Sequence, residues 1–211
     1  MKEILECVKK VRESAKKRNF IQTFDLIVNL RGIDPKKPEN RFSENIKLPF
    51  GKGKEVKIVV FSDSAKDIDA KVIRSKEIEK IAKNKREVKK LVKNTDFFFA
   101  EPQLMPIIGK FLGKFLAPRG KMPIVIREDL RSLIEEYKKY IRIKLKDSPV
   151  IQCAVGSEKM KDEEIAENIS AVLDFLKEKL PKGIVNIKNI YLKLTMSKPI
   201  EVEIHGKRRK G

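Results

Sequence analysis

The stretch LMPIIGKFLGKFLAPRGKMP, residues 104–123, decides how the chain is read. Leu104, Ile108, Leu112 and Leu116 recur every fourth position with Ile107, Phe111 and Phe115 beside them. That spacing makes one wide apolar face of a helix. Gly109 and Gly113 lie four apart on it, where missing side chains would let another backbone or a ligand come close. Pro118 and Gly120 stop the helix and turn the chain, and Lys110, Lys114, Arg119 and Lys121 make the segment cationic. A core helix with a loop behind it is the plain reading. A phosphate-binding P-loop does not fit, because only three residues separate Gly109 from Gly113 and Phe115, not Ser or Thr, follows Lys114.

Strands and helices alternate on both sides of this helix. Val56–Phe61 is a continuous apolar run, as in a strand covered on both faces. A short helix over Ser64–Ala70, a strand at Val72–Ile73 and a longer helix over Glu77–Lys93 follow, the last with Ile78, Ile81, Val88, Leu91 and Val92 inward. Phe97–Phe99 and Ile124–Ile126 read as further buried strands, and a helix is expected near Glu128–Lys138. The order predicts a Rossmann-like layer structure. No Gly-x-Gly-x-x-Gly follows its first strand, so the layout alone says nothing about a dinucleotide.

Farther out the texture is antiparallel. Residues 2–18 read as an amphipathic helix with Ile4, Leu5, Val8, Val11 and Ala15 on one face, and Lys9, Lys10, Arg12, Lys16, Lys17 and Arg18 read as solvated. Phe24, Leu26, Val28 and Leu30 alternate with polar residues over Phe24–Arg31, with Ile27 as the exception. A second strand is expected over Ser43–Leu48, and Gly51–Lys54 is either a turn or a cationic phosphate-holding loop. Beyond Tyr140, Ile141, Ile143 and Leu145 alternate with Arg142, Lys144 and Lys146, and Val150–Val155 returns. Asp162 is placed to cap a helix whose inner face is Ile165, Ile169, Val172, Leu173, Leu176 and Leu180. The last long strand starts at Val185 or Ile187 and ends at Leu194, and a short one is expected over Ile200–Ile204.

Two stretches resemble one known family. Gly113-Lys114 followed by Leu116-Ala117-Pro118-Arg119-Gly120-Lys121-Met122-Pro123 resembles the signature of the ribosomal protein L1 family, which builds the lateral stalk of the large subunit. Ala117 stands where many members carry glycine. The order Phe20, Thr23, Phe24, then Gly32-Ile33-Asp34-Pro35, Leu48-Pro49 and Gly51-Lys52-Gly53-Lys54 is similar throughout, and Arg31 before Gly32 gives it the archaeal spelling. The resemblance covers nearly the full length.

It implies an α+β two-domain protein. A discontinuous outer domain, residues 1–54 and 141–211, would hold an antiparallel sheet and two helices, with a Rossmann-like α/β domain inserted at 55–140. Two connections would make the pair a hinge. It also implies a role on the ribosome in the cytoplasm, with 23S rRNA of the lateral stalk near the exit-tRNA site as partner. Repression of the protein's own operon mRNA, indirect contact with exit-site tRNA and a monomeric free state complete the expectation. RNA-facing positions carried over are Phe20 and Thr23 after the first helix, and Asn189, Thr195 and Met196 on the closing strand. Lys193 and Lys198 flank them, and Ser197 stands where the commonest pattern has glycine. From the residues alone, Phe20 reads first as a core ring.

Charge points the same way. Forty-nine Lys and Arg against thirty Asp and Glu leave a net charge of +19, which suits a polyanionic partner, nucleic acid above all. Net charge does not choose a domain: the outer residues carry +12 over 125, and the insert +7 over 86. No apolar run approaches the roughly 20 residues of a spanning helix, so no membrane partner is expected. Cys7 and Cys153 are too few for a disulfide scaffold and read as buried small residues. His205, beside the basic tail Lys207–Lys210, has no nucleophile near it in sequence, and no metal-ligand spacing or cofactor motif occurs. High Lys and Glu, no Trp and three Gln suggest a heat-adapted source. The competing readings are a Rossmann-type nucleotide-dependent enzyme and a non-ribosomal RNA chaperone.

Overall fold

A computed structural model describes residues 2–65, 68, 70–127 and 129–202. In chain order the elements begin with α1 (Lys2–Ser14), β1 (Thr23–Leu30), β2 (Phe42–Lys47), β3 (Ile58–Phe61) and β4 (Lys71–Ile73). Then come α2 (Ser75–Lys83), α3 (Lys85–Asn94), β5 (Phe97–Ala100), α4 (Met105–Leu116), β6 (Ile124–Val125) and α5 (Leu130–Tyr137). The chain finishes with β7 (Tyr140–Leu145), β8 (Val150–Ser157), α6 (Asp162–Lys179), β9 (Ile187–Leu194) and β10 (Ile200–Glu201). Two units result, one of residues 1–54 with 139–211 and one of residues 55–138.

In the first unit β1 lies between β9 and β8, antiparallel to both, in the order β10-β9-β1-β8. Period-two alternation sends Phe24, Leu26, Val28 and Leu30 into the core and leaves Thr23, Asp25, Ile27 and Asn29 half-buried on the other face. Ile27 fits there because Gln152 and Tyr191 stand opposite it on the flanking strands. Cys7, Val8 and Val11 of α1 and Ile165, Ile169, Val172 and Leu176 of α6 cover the inner face. Each such side chain contributes about 1.5–3 kcal/mol on burial. The pair β2-β7 adds Ile46, Ile141, Ile143 and Leu145 to the same core. Burial pushes the thiols up, Cys7 to about 11 and Cys153 to about 12, so both stay protonated and unreactive near neutrality.

The second unit is a four-stranded parallel sheet in the order β4-β3-β5-β6. Both central strands are buried on both faces. Ile78, Val88, Val92, Ile108, Leu112 and Leu116 of α2, α3 and α4 cover Val59, Phe61 and Phe98. On the opposite face Tyr137 of α5 packs edge-on against Phe97 and Phe99, with ring centroids 5.4 and 5.0 Å away.

Several local expectations change. The helix expected over 77–93 is two helices, because Asn84 ends α2 in an extended conformation and its side chain accepts from the N–H groups of Arg86 and Glu87 to start α3. The first helix stops at Ser14, where the Ser14 hydroxyl turns back to the Val11 carbonyl. The short helix expected at Ser64–Ala70 is absent among its described residues. Ser62 Oγ accepts from the N–H groups of Ser64 and Ala65, offering that backbone a turn instead. Asp162 does not cap α6; it pairs with Arg12 at 2.8 Å, while Glu164 accepts from the Lys161 N–H. Gly109 and Gly113 have no close neighbour among the described residues, for outside their own helix none of these lies within 4 Å of where their β-carbons would be. After α4, Gly120 turns the chain at φ 62°, and Lys121 donates to the carbonyls of Val92 and Thr95, binding the loop to the end of α3. His205, the Lys207–Lys210 tail and residues 203–204 of the last expected strand lie outside the described residues.

Candidate nucleic-acid interface

The end of the first sheet where β1 begins and β9 finishes gathers most of the candidate residues. Phe24 pairs with Leu194, so Thr23 and Thr195 meet just beyond that pair. The Thr195 hydroxyl accepts from the Thr23 N–H at 3.1 Å and faces the Thr23 carbonyl at 3.4 Å. Lys54 donates its ammonium to the Thr23 hydroxyl. Gln22 is buried, and its side-chain oxygen accepts from the Met196 N–H at 3.2 Å. Ser197 Oγ accepts from the Leu194 N–H at 2.8 Å, and the Ser197 N–H returns to the Leu194 carbonyl at 3.0 Å. A side chain thus closes the turn at the position where glycine is commoner.

These bonds hold a rigid rim from which large apolar groups project. Met196 is 60% exposed, Phe20 51% and Ile21 43%. The core role open to Phe20 in the sequence is therefore not the one it has. Lys198 is exposed beside the turn. Lys193 stands opposite Asp25 on the outer sheet face. Burial pushes the Asp25 carboxyl above its ordinary value of 3.8, and Lys193 and Lys54 pull it back only in part.

Asn189 is not part of this cluster. It shares the outer face with Tyr191 and Lys193, but six residues of strand put it about 20 Å from Thr195. Its amide donates to Glu201 at 2.7 Å.

The loop that delivers Lys54 is a turn rather than an open anion cradle. Asn168, fully buried on α6, donates to the carbonyls of Gly51 and Val155, both at 2.8 Å, and accepts from the Phe50 N–H. A β-carbon at Gly53, whose φ is +64°, would fall 2.5 Å from Met160 Sδ and Ser157 Oγ. The loop lies tight against the strand end for that reason.

Sequence reasoning missed Gln22, Asp25 and Asn168, saw Lys54 only within a possible cationic loop, and misplaced Arg12. Asn168 left a signal, since it falls within the apolar stripe of Ile165, Ile169 and Val172. Arg12, expected in solvent, donates to Asp162, to the Glu158 carbonyl at 2.6 Å and to the Met160 carbonyl at 2.9 Å, and lies over the Phe24 ring. Gln22 and Asp25 left none, because their roles depend on partners more than 130 residues away.

Among the described residues no group of three His, Cys, Asp or Glu could hold a metal, and no helix is long and apolar enough to cross a membrane. Fold and site thus define a two-unit α+β protein whose open sheet end carries exposed apolar groups framed by lysines. Residues 10–198 match the ribosomal protein L1p/L10e family, and the chain belongs to that family. Its similarity to archaeal members is high along the chain. It is 47% identical over 208 residues to large ribosomal subunit protein uL1 of Pyrococcus horikoshii, covering 95% of each chain. The figure for the protein of the same name in Methanocaldococcus jannaschii is 44% over 214 residues, 98% of each. A ribosomal protein, not a Rossmann-type enzyme, carries this parallel sheet.

Proposed function

We propose that the chain is a component of the large ribosomal subunit that binds 23S rRNA of the lateral stalk, near the exit-tRNA site, through the rim formed by Phe20, Thr23, Lys193, Thr195, Met196, Ser197 and Lys198. Asn189 is then an outlying contact along the same sheet face. The observation that carries this reading is the bonded frame of Gln22, Thr23 and Thr195 that holds Phe20 and Met196 exposed between lysines. Structured RNA is recognised by such a combination: apolar groups against bases or sugars, hydroxyls for 2′-hydroxyls, and cations for phosphates. The same surface, presented with a similar RNA fold in the protein's own mRNA, would make it a translational repressor, and its place on the stalk brings exit-site tRNA near indirectly. The residues 1–54 with 139–211 act in this reading as the RNA-binding domain, and residues 55–138 as a Rossmann-like insert.

Binding of the full chain to a stalk rRNA fragment tests it. Phe20→Ala with Met196→Ala should lower affinity at least tenfold while leaving the melting temperature nearly unchanged, since both side chains are exposed. Unchanged affinity would remove this rim from the interface.

A further inference from the structure

Charge within the second unit is distributed unevenly. Between Lys76 and Lys93 there are eight cations against three acids, whereas the other residues of 55–138 carry eleven against ten. Lys85, Arg86, Lys89, Lys90 and Lys93 of α3 are all exposed, and none forms an ion pair among the described residues. At about 100° per residue these five fall within an arc of about 140°, whose middle lies about 110° round the helix from the buried Val88 and Val92. Lys83, at the end of α2, precedes them directly.

This arrangement works against the helix that bears it. Lys85 with Lys89, Lys89 with Lys93, and Arg86 with Lys90 are like charges four apart, which repel along a helix face. Lys85 and Arg86 also sit in the first turn, where the helix dipole disfavours cations. A local cost of that kind is retained where a partner offsets it.

We infer that the exposed face of α3, with Lys83 beside it, is a second RNA-binding surface that grips double-stranded RNA through its phosphates without reading sequence. Charge complementarity selects this partner. A protein interface would need apolar or aromatic anchors, and an anionic membrane an apolar helix face. Among the described residues none of the large exposed hydrophobic side chains lies on α2 or α3. Phosphate contacts need cations alone. The inference goes beyond the stalk reading and does not depend on it, because its probe carries no stalk sequence.

The test is binding of the full chain to an RNA duplex of about 20 base pairs of arbitrary sequence, followed from low to moderate salt. The Lys85→Gln/Lys89→Gln/Lys93→Gln triple should bind at least tenfold more weakly at low salt, with the salt slope flattened by about 2 to 3. Lys→Arg at the same three positions should bind like the parent. A control of equal charge, Lys110→Gln/Lys114→Gln/Arg131→Gln, should change affinity much less. Removing repulsion should leave the melting temperature of the first triple equal or higher. If that triple does not fold, the single variants decide, each flattening the slope by about one unit. Equal losses in both triples, or no loss in the first, would overturn the inference. Vesicles containing phosphatidylserine form the other arm. Triple-sensitive binding to vesicles but not to the duplex would transfer the face to a membrane and overturn it too.

Discussion

The two units solve the same problem of burying a sheet and end with different surfaces. In the first, the antiparallel sheet is covered by α1 and α6 on one side only, and Thr23, Asp25, Asn189 and Lys193 remain on the open side. In the second, helices cover both sides of the parallel sheet, so its central strands β3 and β5 carry no side chain to the surface. The densest run of its cations sits instead on a helix, α3, at helical spacing. Charge density is similar in the two, but a rim braced by backbone bonds can read shape, and a row of lysines can only attract. The first unit should therefore supply specificity, and the second salt-sensitive adhesion.

Cutting the molecule along this division gives the largest expected effect. Lys47 pairs with Tyr140, and the Leu48 N–H bonds to the Lys139 carbonyl at 2.9 Å, so the strands flanking the insert are neighbours within the first unit. Replacing residues 55–138 by a short Gly/Ser linker should leave a folded protein that keeps most of its affinity for stalk RNA. The isolated insert should fold as well, yet bind the same fragment at least a hundredfold more weakly. Its binding should disappear as salt rises. Tight, stalk-specific binding by the insert alone would break the division of labour while leaving family membership untouched.

Within the rim, Thr195 gives the next effect. Thr195→Val keeps the shape and removes the hydroxyl that accepts from Thr23. Loss of a hydrogen bond to RNA should cost about 1–3 kcal/mol in binding. The melting temperature should fall only slightly, because the Thr195 site is exposed and water can replace the bond. Thr195→Ser should restore affinity; if it does not, the methyl group rather than the hydroxyl meets the RNA.

Lys198→Ala separates charge from shape more finely. Without its ammonium opposite a phosphate, the salt slope should flatten by about one unit and binding should weaken for all RNA sequences alike. A change confined to stalk RNA would instead make Lys198 a base-reading residue.

The sequence showed the two textures because each leaves a periodic trace: the alternation of Phe24, Leu26, Val28 and Leu30, and the four-residue recurrence from Leu104 to Leu116. Family resemblance, not periodicity, pointed to Thr23 and Thr195. It could not separate Asn189 from them, since distance along a strand appears only once its direction and register are fixed. The bracing groups stayed hidden for a related reason. Nothing near Arg12 in sequence names Asp162, and nothing near Gln22 names Met196. The break at Asn84 was missed because apolar spacing ran through it unbroken; only the side chain's acceptance of two backbone N–H groups sets the boundary.

Asp25 offers the smallest effect and the most direct link between stability and binding in the open face. Its carboxyl is raised above 3.8, chiefly by burial, with Lys193 and Lys54 opposing. A raised acid binds its proton more tightly in the folded state than in the unfolded one. Between the unfolded value and the raised one the native protein therefore holds more protons, and stability increases as pH falls through that window. At neutral pH the ionised carboxylate is a modest cost. Asp25→Asn should then raise the melting temperature slightly at pH 7 and flatten its pH dependence just above the ordinary carboxylate range. The same change releases Lys193 and Lys54 from a counter-charge, so affinity for stalk RNA should rise a few-fold at low salt. Lowering the pH of the parent protein toward that window should strengthen binding in the same direction. Weaker binding by Asp25→Asn would mean that the carboxylate accepts a hydrogen bond from the RNA, making Asp25 part of what the open face recognises.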